Sequence, residues 1–597
     1  MSNEKVVQVF SYKDESPANT VKRIKGILQA YHVKTTETWW DTGAPHCYIV
    51  SIRVDGTNFR TTGKGLTKEL ALASGYGELM ERFQLGYIGR ADVQKDGVLS
   101  TNDTQTEIVD AKTLLERNRK WYALMSDRLQ HYVGNKYSPE DILMQYADQD
   151  GNVLCTPYYC ITTDSKEYLP LALRKAAYTA SGCASGNTVE EAIVHALSEI
   201  VERYCLVKIA SDNLSLPDIP ETVLREFTYA YSIITHLRQH GYKVIVKDCS
   251  LGNKYPTVCV CFINQTDGRY HTHYGADPVL EIAIERALVE PFQGRNMETL
   301  AKHEDFAEKT VKHLDVKNLE KEIVWGAAEK PFSFFTGTPF CEYNENVGFS
   351  GKNNRELLNE CVSYFKEMGY DILVRDSSCL SFPTVQVIIP GYSEVTCHRI
   401  SPDYEYDRPA DHVAKALKDL SKASVDDLVL TLIHMMQNQD AFSKMARLHL
   451  TTDKKLENYL RVSALAYINY SLMRHLETVK CIDVLLRSEK TAYDDYLLCL
   501  KRYLLLQKEQ HTPEESRRIL EFFHRSDTVE KLFSYIGRNA NPLDDYVVHC
   551  DGKCSNACSL QQYCCKKYVS SLVKLVNEKT SELDFLAFSN KIRDLLA

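Results

Sequence analysis

The sequence predicts an α+β body of layered sheets and helices over residues 1–407, followed by an all-α region over 408–597. Three observations lead there. Strand-like runs alternate with helical ones through the first two thirds of the chain. From about residue 408 the apolar spacing becomes helical almost throughout. And 597 residues exceed the roughly 250–300 at which a single hydrophobic core stops growing, so more than one domain is required.

In chain order, residues 46–53, 243–247, 257–263 and 384–389 are rich in β-branched and aromatic side chains and read as strands. The polar segment 92–155, with its Asp-Gly and Asp-Gln-Asp-Gly turn signals, reads as an insertion between the first two of three related helices. Downstream, Leu456–Leu476, Ala492–Lys508 and Pro513–Phe523 read as paired amphipathic helices. Such arrays bind partners, form dimers or cap a neighbouring domain, and a homodimer is expected here.

Composition narrows the classes. A net charge of −9, from 71 basic against 80 acidic residues, argues against bulk nucleic acid as a partner. No run approaches the ~20 apolar residues of a membrane helix and the first residues lack a secretory pattern, so a cytoplasmic protein is expected. Most of the 19 cysteines sit singly in apolar stretches, as in residues 258–262, and read as reduced core thiols.

The most informative feature is an internal repeat. Residues 65–82 align without a gap on residues 186–203, a shift of 121 positions, and both copies end in Glu-x-x-Glu-Arg. A further shift of 91 gives a weaker copy at 279–293, so that Glu78, Glu199 and Glu290 fall at one equivalent position. Thr67 and Thr188 are placed to cap the first two helices. At about 100° per residue, Glu191, Glu199 and Glu202 share one face, and Ala192, Ile193, Ala196, Leu197, Ile200 and Tyr204 fill the other. Pro291, directly after Glu290, predicts a kink or a helix end there.

A solvated face needs polarity only, and nothing in it selects the same glutamate at the same offset twice beside the same glycine. Carboxylates converging from separate helices suit a hard divalent cation that keeps phosphate and water in its shell. Without a cation they would repel one another. Neither a P-loop nor a Gly-x-Gly-x-x-Gly segment is present, so phosphate must be held otherwise. Lys64, Asn187, Arg203, Arg286 and Arg295 lie in or beside the copies as donors to phosphate oxygens, or as structural partners of the glutamates.

These residues resemble the YcaO family. Residues 63–82 resemble one of its two best-known blocks and 180–203 the other, with support at 250–256, 274–277, 284–295 and Pro390-Gly391; the likeness runs from about Lys13 to Pro402. It is similar to the long stand-alone branch, with a helical, tetratricopeptide-like C-terminal domain and no fused leader-peptide-binding domain. The resemblance implies a YcaO-type ATP-binding domain with Glu78, Glu81, Glu199, Glu202 and Glu290 toward Mg²⁺. It places Lys13, Thr20, Lys64, Ser74, Asn187, Glu191, Arg203 and Arg286 toward the nucleotide, and names no catalytic residue.

The resemblance further implies activation of a peptide or protein amide: a nucleophile adds to the carbonyl and ATP phosphorylates the oxyanion, giving a thioamide, azoline or related product. Residues 590–597 lack the proline-rich tail of azoline-forming members, which weighs against cyclodehydration. The long branch is also associated with methylthiolation of ribosomal protein S12. The alternative is therefore an ATP-binding accessory factor acting as an adaptor, with a methylthiotransferase or sulfur-donor partner. One cysteine cluster stands apart. Cys550, Cys554, Cys558, Cys564 and Cys565 could hold zinc or an iron–sulfur cluster, although the spacing matches neither the paired C-x₂-C zinc pattern nor a ferredoxin run, or they are packed thiols.

Overall fold

The computed structural model describes residues 12–57, 59–87, 105–178, 180–301, 316–325, 328–403, 409–437, 442–446, 448, 454–488, 494–550, 564 and 566–596. The first body opens with α1 (Pro17–Ala30), β1 (Thr35–Trp40), β2 (Tyr48–Val54), β3 (Arg60–Gly65) and α2 (Lys68–Gln84). It continues through β4 (Glu107–Asp110), α3 (Ala111–Val133), α4 (Pro139–Met144), β5 (Asn152–Cys160), β6 (Ser165–Pro170), α5 (Leu171–Ala177), β7 (Cys183–Ser185) and α6 (Val189–Asp212). Then come α7 (Glu221–Leu224), α8 (Thr228–Gln239), β8 (Tyr242–Asp248), β9 (Thr257–Asn264), β10 (Tyr270–Ala276), α9 (Leu280–Val289), α10 (Val316–Trp325), α11 (Phe332–Thr336), α12 (Asn354–Glu367), β11 (Leu373–Asp376) and β12 (Thr384–Ile388).

Two of the three sheets are built alike. β1, β2 and β3 form an antiparallel meander between α1 and α2, and β8, β9 and β10 form another between α8 and α9. Alternation dictates this. In the second unit Val258, Val260 and Phe262 of β9 face Ile233, Ile234 and Leu237 of α8 and Ala283, Ala287 and Leu288 of α9, while Cys259 and Cys261 face the core around α6. The third sheet runs β4-β5-β11-β12-β7, with β6 on β5, and carries α6 against it, with α12 packed on α6. The segment 92–155 supplies β4, α3, α4 and the first residues of β5 among its described residues.

The helix copies share one lead-in. The Thr67 hydroxyl accepts from Leu70 N and that of Thr188 from Glu191 N, each at 3.2 Å. Two residues before each cap the strand presses on the helix so closely that only glycine fits. A Cβ on Gly65 would lie 2.7 Å from the nitrogen of Ala71, and one on Gly186 2.6 Å from that of Ala192. The same spacing recurs at α12, where Asn353 caps Glu356 N and a Cβ on Gly351 would lie 2.7 Å from Leu357 N. That third lead-in escapes sequence comparison because its helix keeps the spacing and loses the Glu-x-x-Glu-Arg ending. As Pro291 dictates, α9 stops at Val289 and Glu290–Phe292 form a 3₁₀ turn.

From Pro409 onward the described residues are helical, and those of 413–548 share a core of their own. The stretch expected as one helix over 456–476 is two, Lys454–Ser471 and His475–Leu486. Met473 takes the left-handed conformation (φ 57°), and Arg474 N bonds back to Asn469 O at 2.7 Å, closing the first helix. The helices Lys566–Ser581 and Phe585–Leu596 belong elsewhere. Val569, Leu572 and Val576 pack with Ile24, Leu28 and Phe83, whereas Phe588 and Ile592 enter the core around α6. Arg593 grips Asp164, with its nearest contact at 2.6 Å, and Arg355 donates to the carbonyls of Asp594 and Leu595 at 3.0 Å. No helix among the described residues is long and apolar enough to cross a membrane.

Phe588 is 6% exposed, so Phe588→Ala should cost the first body about 3–5 kcal/mol, read as a lowered denaturant midpoint by tryptophan fluorescence. An unchanged midpoint would show that the 566–596 pair rests on the first body without stabilising it.

Candidate active site: three helices and their carboxylates

The three copies converge. Glu78 and Glu81 project from α2, Glu199 and Glu202 from α6, and Glu290 from the turn that ends α9. Each acidic group is matched by a cation. Arg82 lies 3.8 Å from Glu78 and 3.5 Å from Glu81; Arg203 lies 3.9 Å from Glu199 and 3.7 Å from Glu202. Lys64, at the end of β3, reaches across to Glu290 at 2.5 Å, and His273 of β10 stands 3.8 Å from the same carboxylate. The register places Lys64 there, since it pairs with Ile49 at the end of β3 that leads into α2.

A second corner forms where α6 begins. Thr20 Oγ1 donates to Asn187 Oδ1 at 2.8 Å, and Asn187 Nδ2 donates to Glu191 at 3.1 Å. Lys13 Nζ lies 3.1 Å from Glu191, which also accepts from Asp14 N at 3.2 Å. Arg23 donates to the Asn187 carbonyl at 3.0 Å, fixing the residue from behind. Arg286 of α9 lies 3.9 Å from Asp277, which accepts from the Tyr12 hydroxyl at 2.7 Å and from Val279 N at 3.1 Å, and Arg286 donates to His195 of α6 at 3.2 Å. Arg295 stands apart from this group, donating to His271 at 2.7 Å. Ser74 sits one turn before Glu78 and takes part in none of these ion pairs.

Electrostatics ties the helices together. Burial pushes Glu81 up to about 8; Arg82 opposes this, and Glu199 and Glu78 add to it, so α2 and α6 carboxylates feel one another. Glu199 is raised by burial, with Arg203 and Arg82 holding it back. Glu290 is different. Burial works against its charge, yet Lys64 and His273 hold it well below the usual carboxylate range. Arg203 in turn feels Glu202, Glu199 and Glu290, which joins α6 to α9.

The donor set suits Mg²⁺. It is all oxygen, drawn from three segments and partly desolvated, and so costly to leave without positive charge. Among the described residues no three His, Cys, Asp or Glu side chains are close enough to grip one ion by themselves. Of the cysteine cluster, Cys550 and Cys564 lie half-buried at the rim of the helical core; Cys554, Cys558 and Cys565 lie outside the described residues. Sequence reasoning passed over Tyr12, Arg23, His195 and His273. Only His195 carried a signal, four residues from both Glu191 and Glu199 and so in line with them.

Comparison with known proteins identifies the family. The YcaO family profile, described as YcaO cyclodehydratase, ATP- and Mg²⁺-binding, matches residues 62–393. A Haemophilus influenzae protein is 28% identical over 400 residues, covering 64% of this chain and 66% of its own length. The Escherichia coli ribosomal protein S12 methylthiotransferase accessory factor YcaO is 27% identical over 407 residues, with the same coverage of 64% and 66%. The chain thus spans 66% of the length of these relatives. Among solved structures it is similar to YcaO from Methanopyrus kandleri bound with AMPPCP and Mg²⁺, with a TM-score of 0.42 and 18% identity over 67% of this chain and 98% of that one. A heterocyclase in complex with substrate and cofactor gives a TM-score of 0.47 and 19% identity over 65% of this chain and 54% of that one.

The raised Glu81 carboxyl carries a pH signature. Between its ordinary value of 4.5 and about 8 the folded state keeps a proton that the unfolded chain has lost, so stability falls as pH rises through that window. Glu81→Gln should flatten the decline by on the order of 1–3 kcal/mol in denaturant titrations at pH 5 and pH 8. Parallel profiles for the two proteins would refute the assignment.

Proposed function

The chain belongs to the YcaO family, and from that premise we propose that it is an ATP- and Mg²⁺-dependent enzyme that activates a peptide or protein amide carbonyl by phosphorylation for attack by a nucleophile. The observation that carries this reading is the meeting of Glu81, Glu199 and Glu290, from three separate helices, with Lys64, Arg203 and Arg286 among them. Glu78, Glu81, Glu199, Glu202 and Glu290 would hold the metal. Lys13, Thr20, Ser74, Asn187 and Glu191 would hold the nucleotide.

An amide oxygen is a poor leaving group, and bound ATP with Mg²⁺ would supply the phosphoryl group that makes it a good one. The chain's own part is binding and charge placement. Each of Lys64, Arg203 and Arg286 is a donor that can exchange a carboxylate partner for a phosphate oxygen. Arg203 and Arg286 offer planar forks, which suit bidentate contact; Lys64 offers a point charge. The acceptor amide and the incoming nucleophile are left open, and a thioamide, an azoline or a related product is compatible with the arrangement.

A second reading is an adaptor that binds ATP and assists methylthiolation of ribosomal protein S12. It is favoured by the name of the Escherichia coli relative and by the separate helical core over 413–548, which lends itself to recruiting a methylthiotransferase. The two readings differ in where activity resides.

Glu199→Gln keeps the side-chain shape and removes one charge. It should weaken Mg²⁺-dependent ATP binding by at least about tenfold in calorimetry and leave the melting temperature within a few degrees. Binding equal to the parent would sink the metal-site reading. Excising 409–550 while keeping 566–596 separates enzyme from adaptor. An enzyme keeps ATP turnover on a peptide substrate, whereas an adaptor keeps ATP binding and loses the modification of its target, scored by mass spectrometry.

A further inference from the structure

One group in the site is neither carboxylate nor cation. His195 lies on α6 between Glu191 and Glu199, on the same helix face. Its Nε2 is 3.2 Å from Nη2 of Arg286. A guanidinium has donors only, so Nε2 must offer its lone pair, and the network assigns the ring proton to Nδ1. Nδ1 is buried and makes no hydrogen bond among the described residues. Burial first, then the nearby charges of Arg286, Lys13 and Lys64, keep the imidazole neutral.

Arg286 has other places to go. Glu202 and Glu290 both act on it, after Asp277, and a free guanidinium would settle on either carboxylate. That would spend its charge on a metal ligand. Two contacts prevent it: Asp277 at 3.9 Å, itself tied to Tyr12, and His195 at 3.2 Å. The two are not equivalent. A carboxylate at position 195 would orient Arg286 and cancel its charge, whereas an imidazole orients it and adds none.

We propose that His195 is a positioning residue, which holds Arg286 beside Asp277 and clear of Glu202 and Glu290, so that the guanidinium stays aimed at the phosphates of the bound nucleotide. This rests on the reading that ATP with Mg²⁺ binds here.

The experiment is a double-mutant cycle on the full-length chain, with Mg·ATP affinity measured by calorimetry and folding followed by thermal melts. His195→Leu removes the acceptor and should weaken binding about tenfold, the usual scale for a lost hydrogen bond to a charged group. His195→Gln, whose amide oxygen can take the place of Nε2, should recover most of that loss. His195→Glu should be worse than His195→Gln. In an Arg286→Ala background, His195→Leu should have no further effect, because its action passes through Arg286. Equal impairment by Leu and Gln, or full additivity with Arg286→Ala, would overturn the proposal and leave the ATP reading standing. A parent protein that binds no Mg·ATP would overturn both. Should His195→Leu fail to fold, the Gln and Glu variants decide by their order.

Discussion

The burial of acidic groups is the constraint from which the rest of this molecule follows. Glu81 and Glu202 are almost wholly withdrawn from solvent, and Glu199 and Glu290 partly so, although each remains within reach of an arginine or a lysine. Carboxylates are not desolvated cheaply: several kcal/mol per ion is the usual penalty, recovered only through close and well-oriented cations. The arrangement cannot belong to any one helix. It exists because strand ends place Lys64 opposite Glu290 and because Arg203 stands where it feels acids of both α6 and α9. Separated, the units would hydrate these charges and lose the field they make together.

The scaffold achieves this with one device used repeatedly. A strand ends in a glycine that touches the first turn of a helix, two residues later a small polar side chain caps that helix, and the glutamates follow along its length. Backbone contact leaves no slack between strand and helix, so carboxylates several turns along the helix are aimed from a fixed base. The meanders before α2 and α9 supply stiffness, with apolar side chains interleaved on both faces of the second. At α12 the device appears without the acids, where it positions a helix for packing alone.

How much of this could be read in advance depended on whether a signal was local. The acidic face was legible because repetition at a constant offset is hard to reach by chance, and the strands at 243–247, 257–263 and 384–389 because their patterning is dense. The proline after Glu290 marked its helix end correctly for a purely local steric reason. Long-range partners were illegible. Nothing beside Tyr12 indicates that its hydroxyl meets Asp277 across most of the first body, and a single histidine on an acidic helix looks like any other. The break near Met473 was missed because left-handed closure there uses no glycine. Amphipathic periodicity announced helices near the end of the sequence, and it does not say which surface their apolar side covers.

That last point bears on how the molecule is made. The helices over 566–596 complete hydrophobic cores whose other buried members lie between Tyr12 and Cys397. On the ribosome the first body therefore emerges with part of its apolar surface uncovered, and waits in that condition while the intervening helices are translated. Chains that fold outward from the amino terminus are most exposed to aggregation during such pauses. The acidic cluster would reach its final rigidity only once residues 566–596 have joined these cores.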